Sequence, residues 1–133
     1  MGRVFFDTRK NVHELKAAYT VLASDSGKVF MLNSASGAFA VTLPTIEDGL
    51  FYKFISSDTT ADVTVSFSTA DIDIVGLDSE TDVGFSSAGT AKGKIIMELA
   101  GHKSQYVNLY CDGTGWYAEG MASVDDGITV AAA

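Results

Sequence analysis

Cysteine, proline and histidine are all scarce: the 133 residues hold one, one and two of them. The lone Cys111 cannot close an internal disulfide. That argues against a disulfide-stapled secreted scaffold and fits synthesis in a reducing cytosol. Zinc sites use three or four ligands, usually in close-spaced pairs such as C-x-x-C, and no such pair exists. Basic residues are also few, nine against seventeen acids, for a net charge of −8. An acidic body repels phosphate backbones, so nucleic acid is not an expected partner. No stretch approaches the roughly 20 apolar residues of a helical membrane span, so no membrane association is expected. The opening MGRVFFDTRK has no apolar core followed by a small-residue cleavage site, so no signal peptide is expected either.

Short apolar runs and turn residues dominate what is present. Tyr19 to Ala23 is extended, and Ser24-Asp25-Ser26-Gly27 reverses it. Val29 to Leu32 is a continuous apolar run, the mark of a strand buried on both faces. Phe39, Val41 and Leu43 alternate with small residues up to Pro44, which has no amide proton for a ladder and stops the strand. Glu47-Asp48-Gly49 turns into Leu50 to Ile55. Read in order, Tyr19 to Ile55 forms a four-stranded meander. Val63, Val65 and Phe67 then share one face of a strand, and Ile72 and Ile74 repeat the pattern.

Residues 76–93 read as a long loop holding a short strand near Val83 to Phe85. Strands follow at Lys94 to Leu99, Gln105 to Cys111, Trp116 to Glu119 and Gly127 to Val130. The pair around Asp112-Gly113-Thr114-Gly115 forms a hairpin. About ten short strands with almost no helix predict an all-β fold, a single antiparallel β-sandwich or barrel-like domain over 18–133. Asp25, Gly27, Pro44, Gly49, Gly113 and Gly115 are its structural turn positions.

Residues 1–17 differ in character and are read as an N-terminal arm. They carry four basic against two acidic side chains, a net +2, while the remaining 116 residues carry five lysines against fifteen acids, a net −10. Asn11 and Glu14 have capping-pair spacing, which with Val12 and Leu15 predicts a helical turn or two. Arg3, Val4, Phe5, Phe6, Arg9 and Lys10 are candidate contacts to a larger surface, the alternative being a frayed terminus.

Candidate chemistry is thin. Asp71, Asp73, Gly76 and Asp82 fall at positions 1, 3, 6 and 12 of an EF-hand loop. Val75 occupies a ligand position, and Ile72 and Ile74 alternate as a strand requires, so an acidic solvated edge is the better account. His102, Cys111 and Asp112 suggest a Cys–His pair, but nothing activates the thiol. Cys111 follows Val107 and Leu109 at period two and reads as core, and His102 as exposed. No metal, cofactor or catalytic residue is expected. Tyr106, Tyr110, Trp116 and Tyr117 gather around one hairpin. Tyr106 and Tyr110 share a face, which makes the group a core layer or subunit interface, or else a platform for stacking sugars.

Asp25-Ser26-Gly27-Lys28, Leu43-Pro44, Gly49-Leu50-Phe51-Tyr52 and Trp116-Tyr117 with Gly120 together resemble a pattern in small structural proteins of tailed-bacteriophage virions. The resemblance runs from about Tyr19 to Val130. It implies a capsid decoration protein, commonly trimeric and β-rich, with an N-terminal arm on the major capsid protein. Such a protein is made in the host cytoplasm, resides on the capsid surface and stabilises the head without being an enzyme. The alternative is a tail-fibre or receptor-binding module for a host surface glycan. A homotrimer is expected from that pattern together with the apolar content of 47%, since surplus apolar surface on a small domain marks an interface.

Overall fold

Period-two alternation commits most of the chain to strands. A computed structural model describes residues 11–68, 72–79, 84–86 and 92–132. Among them are twelve strands: β1 (Val12–Leu15), β2 (Tyr19–Thr20), β3 (Val29–Asn33), β4 (Phe39–Thr42), β5 (Asp48–Asp58), β6 (Val63–Ser66), β7 (Ile72–Asp78), β8 (Gly84–Ser86), β9 (Lys94–Met97), β10 (Tyr106–Asp112), β11 (Trp116–Ala122) and β12 (Ile128–Ala131). They form a seven-stranded sheet, ordered β1-β3-β5-β10-β11-β7-β8, and a five-stranded sheet, ordered β12-β9-β6-β4-β2.

The β-rich reading holds, but the antiparallel one does not. Five of the ten pairings among the described residues are parallel: β1 with β3, β3 with β5, β2 with β4, β4 with β6, and β7 with β11. From β1 to β6 each strand lies in the opposite sheet from the one before it. A chain that crosses to the other layer and returns arrives running in its first direction, so next-but-one strands become parallel neighbours. The four-stranded meander is therefore a winding. The same turns occur, but they join layers rather than sheet neighbours.

The first segment is corrected too. Residues 12–15 form no helix; β1 pairs in parallel with β3, and Leu15 is buried in the common core. That part of the expected arm belongs to the sheet. The other arm candidates, Arg3, Val4, Phe5, Phe6, Arg9 and Lys10, lie outside the described residues.

One apolar cluster fills the space between the sheets. The seven-stranded sheet contributes Phe30, Tyr52, Phe54, Ile74, Leu109 and Trp116, and the five-stranded sheet Val41, Val65, Ile95 and Met97. Phe30 stacks on Phe54 with centroids 5.3 Å apart, and Trp116 meets Phe67 edge-on at 5.7 Å. Burial raises the Tyr52 phenol to about 12, and its hydroxyl donates to the Leu22 carbonyl at 2.8 Å.

Asp25 is the buried polar anchor. It closes a 3-10 turn (Ala23–Asp25) and is 5% exposed. It accepts from the Tyr19 hydroxyl at 3.0 Å, the Leu22 amide at 2.9 Å and the Lys28 ammonium at 2.7 Å. Burial pushes its pKa up, but the Lys28, Leu22 and Tyr19 hydrogen bonds outweigh burial and leave it below the ordinary value. Gly27, with φ +90°, donates its amide to the Phe51 carbonyl at 2.7 Å, so the turn is tied to β5. Gly49 is not in a turn before β5 but inside it. Its φ of +85° sits where the β10 register skips between Tyr110 and Asp112, a bulge that only a left-handed residue fits comfortably. Pro44 follows the end of β4 as expected.

Candidate functional site: the outer face of the seven-stranded sheet

In a sheet with one wet face, the outward positions carry polar side chains. The five-stranded sheet obeys. Its register aligns Ala131, Lys94, Ser66, Thr42 and Thr20 in one outward row, and Thr129, Ile96, Thr64 and Ala40 in the next. The seven-stranded sheet does not. One outward row runs Met31, Ile55, Tyr106, Met121, Leu77. The next runs Val29, which is buried, then Lys53, Asn108, Glu119, Val75, and the third Phe51, Tyr110, Tyr117, Asp73. Val75 is 66% exposed, Leu77 50%, and Tyr110, Tyr117 and Met121 just over 40%.

The aromatic side chains on this face are braced. Tyr110 packs on Phe51 with centroids 5.2 Å apart, and its hydroxyl donates to Glu119 Oε1 at 3.0 Å. That bond to a carboxylate raises the Tyr110 pKa. The Lys53 ammonium lies 4.6 Å from the centre of the Tyr106 ring, within cation–π range. Between Val75, Leu77, Tyr106, Glu119 and Met121 is a shallow hollow of about 290 Å³. A second, of about 180 Å³, adjoins it through Tyr106 and Met121 and ends at Ser79, Lys103 and Ser123.

The hairpin that carries Tyr110 and Tyr117 is held at its tip by one carboxylate. Asp112 Oδ1 accepts from the Thr114 amide at 2.8 Å, the Thr114 hydroxyl at 2.7 Å and the Gly115 amide at 2.9 Å. The Thr114 and Gly115 hydrogen bonds lower its pKa to about 2. Gly113 takes the left-handed conformation there, φ +87°. Lower on β11, Gly120 is required by space: a Cβ would lie 2.4 Å from the Tyr106 carbonyl oxygen and 2.9 Å from Val107 Cγ1.

Of the four aromatic candidates, three belong to this face and one does not. Tyr106, Tyr110 and Tyr117 are on it, while Trp116 points inward and is 1% exposed. Adjacent strand residues point to opposite faces, so Trp116 and Tyr117 cannot share one. Phe51, Ile55, Val75, Leu77 and Met121 complete the face and were missed as site residues. A signal for them exists: Leu50 to Ile55 and Ile72 to Leu77 have apolar residues at both parities, the pattern of a strand covered on both sides. β7 also runs on to Asp78, through residues read as loop.

The remaining candidates do not converge. Cys111 is buried in the core, Asp112 is in the exposed hairpin turn, and His102 is exposed. Asp73 is exposed on β7, and Asp71 and Asp82 lie outside the described residues. Among the described residues no three His, Cys, Asp or Glu side chains are grouped to hold a metal. Among the described residues no helix is long and apolar enough to cross a membrane. No protein-family model, curated protein or solved structure matches the chain.

Proposed function

We propose that this protein is a structural component of a tailed-phage virion, a capsid decoration protein that attaches to the major capsid protein and stabilises the assembled head. The observation that carries the reading is the contrast between the two outward faces. The five-stranded sheet turns mostly threonine, serine, alanine and lysine outward, with Ile96 among them, while the seven-stranded sheet turns aromatic and aliphatic side chains outward in the two rows that flank Lys53, Asn108 and Glu119. Contiguous apolar surface on a small domain marks a protein interface. A shell under internal pressure fails where its subunits separate, and a protein that bridges several subunits comes off slowly because its contacts must break together. No chemistry is asked of the protein beyond this binding.

A glycan-binding fibre module is the second reading, favoured by Tyr106, Tyr110 and Tyr117 lying on one face. Val75, Leu77 and Met121 between and beside these rings favour a protein partner, since aliphatic groups offer sugar hydroxyls no hydrogen bonds. Co-sedimentation with undecorated heads tests the proposal. Binding that saturates and raises the temperature at which heads release DNA is the expected result. Failure to bind heads, together with saturable binding to host surface polysaccharide, would replace it with the fibre reading.

A further inference from the structure

Strand β10 is the middle strand of the seven. A two-fold axis laid along it places the sheet of a second copy face to face with the first and exchanges the halves. The second copy's β5 then lies over β11, and its β3 over β7. The register decides which side chains meet. In the row through Asn108, Lys53 comes opposite Glu119, because both pair with Asn108 from opposite sides. In the row through Tyr106, Ile55 comes opposite Met121 and Met31 opposite Leu77. Apolar meets apolar, and cation meets anion, twice over.

We propose that a second copy of this chain covers the outer face of the seven-stranded sheet, across a two-fold axis along β10, with Lys53 of each copy paired to Glu119 of the other. The proposal rests on the reading of this face as a protein interface and names its occupant. Within one chain Lys53 and Glu119 stand on the strands either side of β10, with Asn108 between them, and they form no ion pair with each other. Neither has an ion-pair partner among the described residues. Stacked sheets lie about 10 Å apart with strands within about 30° of one another, so β5, β10 and β11 make the closest contact. The ion pairs fix register more than they add affinity, because a slip of one row sets Lys53 against Met121 or Tyr117 and Glu119 against Ile55 or Phe51. A two-fold contact uses one patch on both partners and so forms the Lys53–Glu119 pair twice, whereas a three-fold ring, which the family resemblance implies, joins unlike patches.

Light scattering on the full chain at micromolar concentration should give the mass of two chains of 14.0 kDa. Lys53→Glu or Glu119→Lys alone should weaken the pairing about tenfold or more, and the double reversal should restore it to within about threefold. Each single change also removes a contact inside the chain, Lys53 on Tyr106 or Tyr110 on Glu119. The double change does not rebuild those, so recovery reads only the pair between copies. Melting curves check that every variant is folded. A mass of one or three chains, or a double variant as weak as the two singles combined, overturns the proposal. Binding of the same variants to undecorated heads separates the two failures. If pairing is absent but head binding drops, the face is an interface to another protein; if neither responds, the interface reading fails as well.

Discussion

The two sheets share one core and differ on their outward sides. On the five-stranded sheet the strand code is complete: Val63 and Val65 point in, Thr64 and Ser66 point out. On the seven-stranded sheet it is doubled: Tyr52 and Phe54 point in, Phe51 and Ile55 point out. Both designs fold, because folding asks only that the inner set be apolar. The outer set is free to record function, and the difference between the sheets is the ground for the proposed interface.

Substitutions that remove the inner set should break the comparison outright. Trp116→Ala leaves a large cavity against Tyr52 and Phe67 and should cost about 3–5 kcal/mol, read as the shift in denaturant midpoint. If it costs less than Tyr117→Ala, the inward assignment of Trp116 is wrong. Next is Gly120→Ala, whose Cβ would collide with the Tyr106 carbonyl and Val107. Overpacking of this kind costs about 1–3 kcal/mol, and here it presses on backbone that cannot rotate away.

Asp25→Asn should cost a similar or smaller amount, roughly 1–3 kcal/mol, because the Lys28 ammonium loses its carboxylate and a three-donor site keeps a neutral acceptor. Its pH dependence has a definite sign. The folded carboxyl has a lowered pKa, so its contribution is complete above the unfolded value of about 3.9 and is lost as pH falls through the folded value. The gap in stability between the natural protein and the variant should therefore narrow below about pH 4. A gap that widens on acidification would contradict the network described.

The smallest effect on stability should come from the outer set. Changing Val75, Leu77 and Met121 together to threonine makes the seven-stranded face resemble the five-stranded one. Solvent-exposed positions change stability by about 0.5 kcal/mol or less each, so melting should barely move while self-association falls. Changing Thr42 and Ser66 to alanine on the five-stranded sheet should leave self-association unaltered.

Strand positions and inward residues were legible in the sequence because period-two alternation and turn residues are local signals. Val63, Val65, Phe67, Ile72, Ile74, Val107, Leu109 and Cys111 are all buried as their spacing implies. Topology was not legible. Ser24 to Gly27 reverses the chain whether the next strand lies beside the last or in the other layer, and only tertiary contacts separate those outcomes. The segment around Val12 was misread for a related reason: Asn11 and Glu14 have capping spacing, yet four residues make too weak a helix to compete with the open edge of β3. The outer face was half legible. Tyr106 and Tyr110 share a side by parity alone, but Phe51, Met121 and Leu77 join them only through strand order.

Methionine oxidation tests the claim that this face is covered in solution. Met121 lies on it, 42% exposed in the single chain, and Met97 lies in the core, 2% exposed. Dilute peroxide applied across a concentration series, with each sulfoxide resolved by peptide mass spectrometry, reads the two side by side. The account predicts that Met121 oxidises quickly in dilute protein and slows several-fold as concentration rises, while Met97 stays slow throughout. A Met121 rate that is fast and independent of concentration would show the face open to water and contradict the account.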